Sequence, residues 1–281
     1  MKYFALFAIA IIISIKGYTQ AEFPMNVATY NLRYNNPGDG ENAWPNRKDM
    51  VKDLIRYHEF DVFGTQEGLI DQLQDLAEMS EFSWYGRGRD DGKDGGEHSA
   101  IFYKKDRFQL LDKGDFWLSE TPDEPTFGWD AACKRICSWV KLKDKLNQKE
   151  FYFFSVHFDH KGEKARSESG KLMVAKIKAI AGKTPAICVG DFNSTPDTEQ
   201  IKLMGSLLSD SKMISEMPPY GPEGTANGFN LNAPLKKRID YIFVSNDFTV
   251  KKYAVLTDSN NQRYPSDHQP VVARISFKQK E

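Results

Sequence analysis

The stretch Val189–Pro196, VGDFNSTP, closes an apolar run begun by Ile187 and Cys188 and puts Asp191 and Asn193 on the first polar turn beyond it. Taken alone, Asp-x-Asn after a strand is ordinary turn chemistry, because Asx side chains cap their own backbone. The same ending recurs along the chain, however. Asn31 ends VATYN, Gln66 and Glu67 end VFGTQE, and His157 and Asp159 end FFSVHFD. Asp240 lies inside RIDYIFVS, and Asp267 with His268 inside YPSDHQPVV. Stacked sheets bring strand ends into one crevice, so these hard oxygen ligands, amides and imidazoles are expected to share a site.

Around these endings, runs rich in aromatic and β-branched residues predict strands over 26–34, 61–66, 99–104, 115–118, 136–142, 151–158, 186–189, 239–244, 249–256 and 270–277. Between them, apolar stripes at helical spacing predict four helices: Met50/Val51/Leu54/Ile55, Leu69/Leu73/Leu76/Ala77, Leu172/Met173/Ile177/Ile180 and Ile201/Met204/Leu207/Leu208. Interleaved strands and helices mean an α/β or α+β layered fold whose sheets need cover. No linker or internal repeat interrupts the pattern, so residues 22–281 are read as a single domain. Residues 1–21 read as a secretory signal peptide: Lys2 precedes the apolar run Phe4 to Ile13, too short for a spanning helix. An extracytoplasmic location follows, without a membrane span after cleavage.

Charge narrows the partners. With 38 basic and 39 acidic residues and no long single-sign run, the chain has no basic face of the kind that grips duplex nucleic acid. Three cysteines make no disulfide scaffold; Cys188 reads as core, while Cys133 and Cys137 could pair in an oxidising compartment. A carboxylate-rich cluster without a thiol set suits Mg²⁺, Mn²⁺ or Ca²⁺ better than zinc. Phosphoryl chemistry is what such a cluster does: the cation polarises the phosphate and a carboxylate aligns water for in-line attack.

TYNLRYNN, GTQE, SVHFDH, VGDFNSTP, RIDYIFVS and SDHQPVV, in this order, resemble the motifs of the endonuclease/exonuclease/phosphatase (deoxyribonuclease I-like) superfamily. HFDHKGEKARSES, RYNNPGDGENAW and FWLSETPD are similar to a secreted branch of it found in bacteria and fungi. The resemblance implies a four-layer sandwich of two mixed β-sheets packed face to face, flanked by helices, with the site at one rim. It implies Glu67 as principal ligand of one Mg²⁺ or Mn²⁺, with Asn31 and Asp267 beside it. Asp191 would orient and deprotonate water, Asn193 would hold the phosphate, and Asp240 would belong to the same polar floor. His268 would contact a phosphate oxygen or act as an acid, with Asp267 fixing its tautomer. His157 would pair with Glu97 to protonate the leaving oxygen.

Two departures shape the expected chemistry. Arg33 stands where apurinic endonucleases carry an acid, which disfavours a second cation and would put Arg33 on the substrate anion or Glu67. Arg135 would clamp a phosphate in two places, and His160 would add positive charge at the rim. The leading expectation is a phosphodiesterase or phosphomonoesterase acting on a small molecule, lipid headgroup or phosphorylated glycan, with no obligate protein partner. A secreted nuclease comes second, with only Lys161, Lys164, Lys236 and Lys237 as weak polymer contacts. A binding module on an inactive scaffold comes third and would predict missing ligands; none is missing.

Overall fold

A computed structural model describes residues 22–279; the leader read over residues 1–21 lies outside them. Twelve strands form two mixed sheets. The first contains β1 (Met25–Asn31), β2 (Val62–Gln66), β3 (Phe82–Tyr85), β4 (Ile101–Lys104), β11 (Phe248–Val255) and β12 (Val271–Phe277), in the order β11-β12-β1-β2-β4-β3. The second contains β5 (Phe108–Trp117), β6 (Ile136–Asp144), β7 (Glu150–His157), β8 (Ala186–Asp191), β9 (Ser209–Asp210) and β10 (Asp240–Val244), in the order β5-β6-β7-β8-β10-β9. In each sheet one central pair is parallel, β1 with β2 and β7 with β8; the remaining pairs are antiparallel.

Alternation along the central strands builds three cores. Val27, Val62, Phe153, Ile187 and Ile242 point between the sheets into the inner core. Their neighbours Ala28, Phe63, Phe154, Cys188 and Phe243 point outward, because successive side chains of a strand take opposite faces. The outward residues of the first sheet are covered by Val51, Leu54 and Ile55 of α1 (Lys48–Tyr57) and Leu73 and Leu76 of α2 (Ile70–Ala77). Those of the second are covered by Met173 and Ile177 of α3 (Glu163–Ala181) and Ile201 and Met204 of α4 (Glu199–Leu207). The central four strands are buried along nearly all their length, as strands covered on both faces are.

Close approach of the sheets depends on Gly64 of β2. A Cβ there would lie 2.6 Å from both Ser155 Oγ and Val189 Cγ2 on the facing sheet. Beside it, Gln66 Nε2 donates to Ser155 Oγ across the interface at 3.3 Å. The expected strands and helices are therefore present, except that β5 starts at Phe108 rather than 115 and β1 ends at Asn31 rather than 34, with β3 and β9 as two short additions at sheet edges. Cys133 and Cys137 do not pair: Cys137 is buried in β6, Cys133 stands in the loop before it, and all three cysteines are free. Among the described residues no helix is long and apolar enough to cross a membrane.

Candidate active site

Register places the polar strand ends side by side. On the second sheet, parallel pairing sets His157 opposite Asp191 and antiparallel pairing sets Asp240 opposite Asp191. On the first sheet, Asn31 pairs with Gln66, the residue before Glu67. The two sheets are joined at this rim by Asn31, whose Nδ2 donates to Glu67 Oε1 at 3.0 Å and to Asp191 Oδ2 at 3.1 Å. A cavity of about 440 Å³ opens over them, with Arg33, Tyr34, Glu97, Cys133, Arg135 and His160 among its walls.

The VGDFN turn explains its own sequence. Gly190 lies so close to β7 that a Cβ would meet Val156 O at 2.0 Å. Asn193 then turns into the left-handed region, with φ of 46°, its N–H bonded to Asp191 Oδ1 at 2.8 Å. Its side-chain amide donates to Phe158 O at 3.0 Å. Glu67 and Arg33 share this unfavourable backbone, with φ of 62° and 56°. Left-handed backbone at residues other than glycine costs on the order of 1–3 kcal/mol each and collects at functional sites.

Electrostatics divides the site into two halves. His268 Nδ1 lies 2.9 Å from Asp240 Oδ2 and His268 Nε2 3.9 Å from Asp191 Oδ2. Burial opposes the charged ring, but the Asp240 and Asp191 carboxylates hold it well above the ordinary histidine value. Burial, with the Asp240 charge beside it, pushes Asp191 up to about 7. His157 meets the opposite sign: burial and the Arg135 guanidinium push it well below the ordinary value.

The structure brings Asn31, Glu67, His157, Asp191, Asn193, Asp240 and His268 together and corrects several expectations. Asp240, not Asp267, is the carboxylate on His268; Asp267 instead comes within 3.9 Å of Arg33 Nε. Arg33 lines the cavity, yet it is bonded twice, at 2.9 Å, to Asp39 rather than to Glu67. Glu97 stands 3.7 Å from His157 Nδ1, too far for a hydrogen bond, and its carboxylate is taken by Arg89. Arg135 is not a free clamp: it is buried, and its N–H groups face Asp159, His157 and His160. His160 lines the cavity, but burial and the Arg135 guanidinium push its ring below the ordinary histidine value.

Residues that sequence reading passed over do the bracing. Buried Arg47 donates to the carbonyls of Asn42 (2.6 Å), Leu32 (2.7 Å), Pro265 (2.7 Å) and Arg33 (2.9 Å). It thereby ties the loop after β1 to the loop that carries Asp267 and His268. Ser266 Oγ adds a bond to Asn31 O at 2.6 Å. Asp39 and Arg89 play comparable parts for Arg33 and Glu97. Arg47, in ENAWPNRK, gave no signal beyond a basic residue starting a helix.

A hard divalent cation fits these donors. The carboxylate oxygens of Glu67 and Asp191 lie within 4.8 Å of each other, as do those of Asp191 and Asp240. Oxygen dominates both sets, and Asp240 Oδ1 is buried without a partner. Carboxylate-rich sets of this kind select hard cations. Glu67 and Asn31, bonded to each other, remain the expected holders, with Asp267 outside both compact groups.

Comparison with known proteins agrees with this geometry. A sequence model of the endonuclease/exonuclease/phosphatase family matches residues 28–268. The chain is 45% identical to a family member from Bacteroides thetaiotaomicron, covering 92% of this chain and 100% of that one with a TM-score of 0.89. It is also 45% identical to a mannosyl-6-phosphatase of the same bacterium, covering 90% of this chain and 100% of that one, with a TM-score of 0.87. An uncharacterized protein of Acanthamoeba polyphaga mimivirus is 28% identical over 161 residues, 54% of this chain and 59% of that protein's length.

Proposed function

The chain belongs to the endonuclease/exonuclease/phosphatase family, and from that premise we propose that it is an exported, divalent-metal-dependent phosphatase that hydrolyses phosphomonoesters of sugars. It is a phosphoric ester hydrolase. The observation that carries the finer reading is the walled, polar cavity of about 440 Å³ over Asp191, which suits one small phosphate ester. Beyond Asn193 an open cleft of about 750 Å³ adjoins it, where Glu163 and Glu199 stand beside Arg166 and Lys237. Mixed charge suits hydroxyl groups better than a polyanion, whose binding rests on an excess of cations. The likeness to the mannosyl-6-phosphatase supports a hexose 6-phosphate. The leader read over residues 1–21 supports export.

The residues imply a sequence of events. Asp191 aligns a water and takes its proton as the water oxygen attacks phosphorus; the ester P–O bond breaks on the opposite side, releasing alcohol and phosphate. His268, kept charged by Asp240, and Asn193 face the phosphoryl oxygens where negative charge grows. A bound Mg²⁺ or Mn²⁺, held by Glu67 and Asn31, would supply Lewis-acid polarisation of the phosphoryl group.

Phosphate release from mannose 6-phosphate by the purified protein, with Mg²⁺ or Mn²⁺ and with EDTA, tests the reading. Metal-dependent turnover that collapses in Glu67→Ala is expected. Faster turnover of bis-p-nitrophenyl phosphate than of any monoester would overturn the monoesterase assignment. A steep fall in cleavage of single-stranded DNA with salt, alongside inert sugar phosphates, would install a nuclease instead.

A further inference from the structure

Arg135 precedes β6 with its side chain buried behind the two histidines of the cavity wall. Its NH1 lies 2.9 Å from Nδ1 of His157 and its NH2 2.9 Å from Nδ1 of His160. A guanidinium only donates, so both Nδ1 atoms must accept. A ring that accepts at Nδ1 carries its proton on Nε2. We propose that Arg135 is a positioning residue that fixes both His157 and His160 as neutral Nε2–H tautomers. Both rings are thereby presented as hydrogen-bond donors to the phosphate ester, and His157 is withdrawn from the role of acid toward the leaving oxygen.

The surroundings are built for this. Asp159 anchors the guanidinium through Nε at 3.4 Å. Burial alone would raise that carboxyl, but the N–H groups of Gly162 and Lys161, at 2.7 and 3.0 Å, help hold it down to about 2. Glu97, the carboxylate that would have made His157 an acid, is 3.7 Å from both His157 Nδ1 and Arg135 NH1 and is engaged by Arg89. On the other edge of the ring, His157 Nε2 is 3.5 Å from Asp191 Oδ2. The neighbouring Asn193 Nδ2, at 3.2 Å, gives one of its two N–H groups to Phe158 O; because an amide nitrogen donates only, its second N–H must turn away from a ring that carries its proton on Nε2. If His157 holds its proton, the ester oxygen that departs with the bonding electrons takes one from water. This inference rests on the phosphohydrolase reading for its chemical meaning; its structural half stands without it.

Long-range ¹H–¹⁵N correlation spectra of the protein labelled at histidine test the tautomers directly, without substrate. His157 and His160, assigned with His157→Gln and His160→Gln, are expected as Nε2–H tautomers. His98 supplies an internal contrast: its Nδ1 faces the carbonyl of Gly68 at 3.1 Å, so it must carry the proton there. Arg135→Met is expected to abolish the Nε2–H preference of both rings and leave His98 unmoved. An Nδ1–H or doubly protonated His157 in the unaltered protein overturns the proposal, whether or not Arg135→Met folds. Kinetics give a second arm. His157→Gln, which keeps a donor in place of Nε2–H, is expected within about tenfold of the parent, with equal losses on p-nitrophenyl phosphate and on an alkyl phosphate. A loss of about 100-fold or more, of the size general acids supply, confined to the alkyl ester would overturn it. Failure to find a sugar phosphate substrate would leave the tautomer result intact and count against the functional reading alone.

Discussion

His157 and His268 flank the same carboxylate, at 3.5 and 3.9 Å from Asp191 Oδ2, yet their surroundings push them in opposite directions, His157 toward the neutral ring and His268 toward the charged one. Both rings are nearly sealed from solvent, and burial disfavours the cation in each. What separates them is the group at Nδ1: a carboxylate, Asp240, on one side and a guanidinium, Arg135, on the other. The pair shows that burial sets the stakes for a catalytic histidine while the sign of one neighbour decides the outcome.

The largest effect expected from disturbing this arrangement follows removal of the charge between the rings. Asp191→Asn should lower kcat by about 1,000-fold or more, the upper part of the range for a positioned base, measured by phosphate release at saturating substrate and metal. Next comes Asp240→Asn, expected to cost about 100-fold in kcat at neutral pH. The sign is explicit: His268 acts protonated, so activity falls as pH rises through its pKa. Without Asp240 that pKa drops, and the alkaline limb of the kcat profile should move to lower pH. An unmoved limb would break the contrast between the two histidines.

Stability offers smaller effects of opposite pH dependence. Asp159→Asn should destabilise the fold by about 3 kcal/mol at neutral pH, as expected when a buried guanidinium loses its carboxylate, read from urea midpoints. Because Asp159 is depressed in the fold, its contribution is present above its ordinary value near 3.8 and fades as pH falls toward about 2. The raised His268 contributes in the other sense, fully below pH 6.5 and less as pH climbs through its folded value. The smallest change belongs to His98, buried with its Nε2 unpartnered. His98→Asn, which keeps an Nδ1-like donor for Gly68 O, should cost about 1 kcal/mol and leave kcat within about twofold.

How far the sequence carried this picture depends on what kind of interaction was at stake. Alternating apolar runs and helical stripes made the sheets and α1 to α4 legible, and polar strand endings located the rim. Edge strands were harder: Phe82–Tyr85 is four residues long, and Ser209–Asp210 only two, so neither offers enough alternation to read. Pairings inside the site were the least legible. The resemblance coupled Asp267 to His268, its neighbour in the chain, but Asp267 comes to Arg33 instead. The true partner, Asp240, is set by its register against Asp191 and lies 28 positions away. Likewise Glu97 sits just before β4, near His157, but the Gly- and Asp-rich loop returns Arg89 onto its carboxylate, a contact that no periodicity announces. Cys133 and Cys137 failed to pair because a strand start separates a cavity wall from the core under α3.

The left-handed backbone at Arg33, Glu67 and Asn193 carries an implication for breeding a hardier form of this protein. Selection for heat resistance would find easy gains there, since a glycine relaxes each kink. Those same gains would slacken the rim that aims the Glu67 carboxylate and the Asn193 amide. Variants toughened at these three positions should emerge as slow catalysts, whereas toughening sought in the edge strands, far from the kinks, should leave turnover intact.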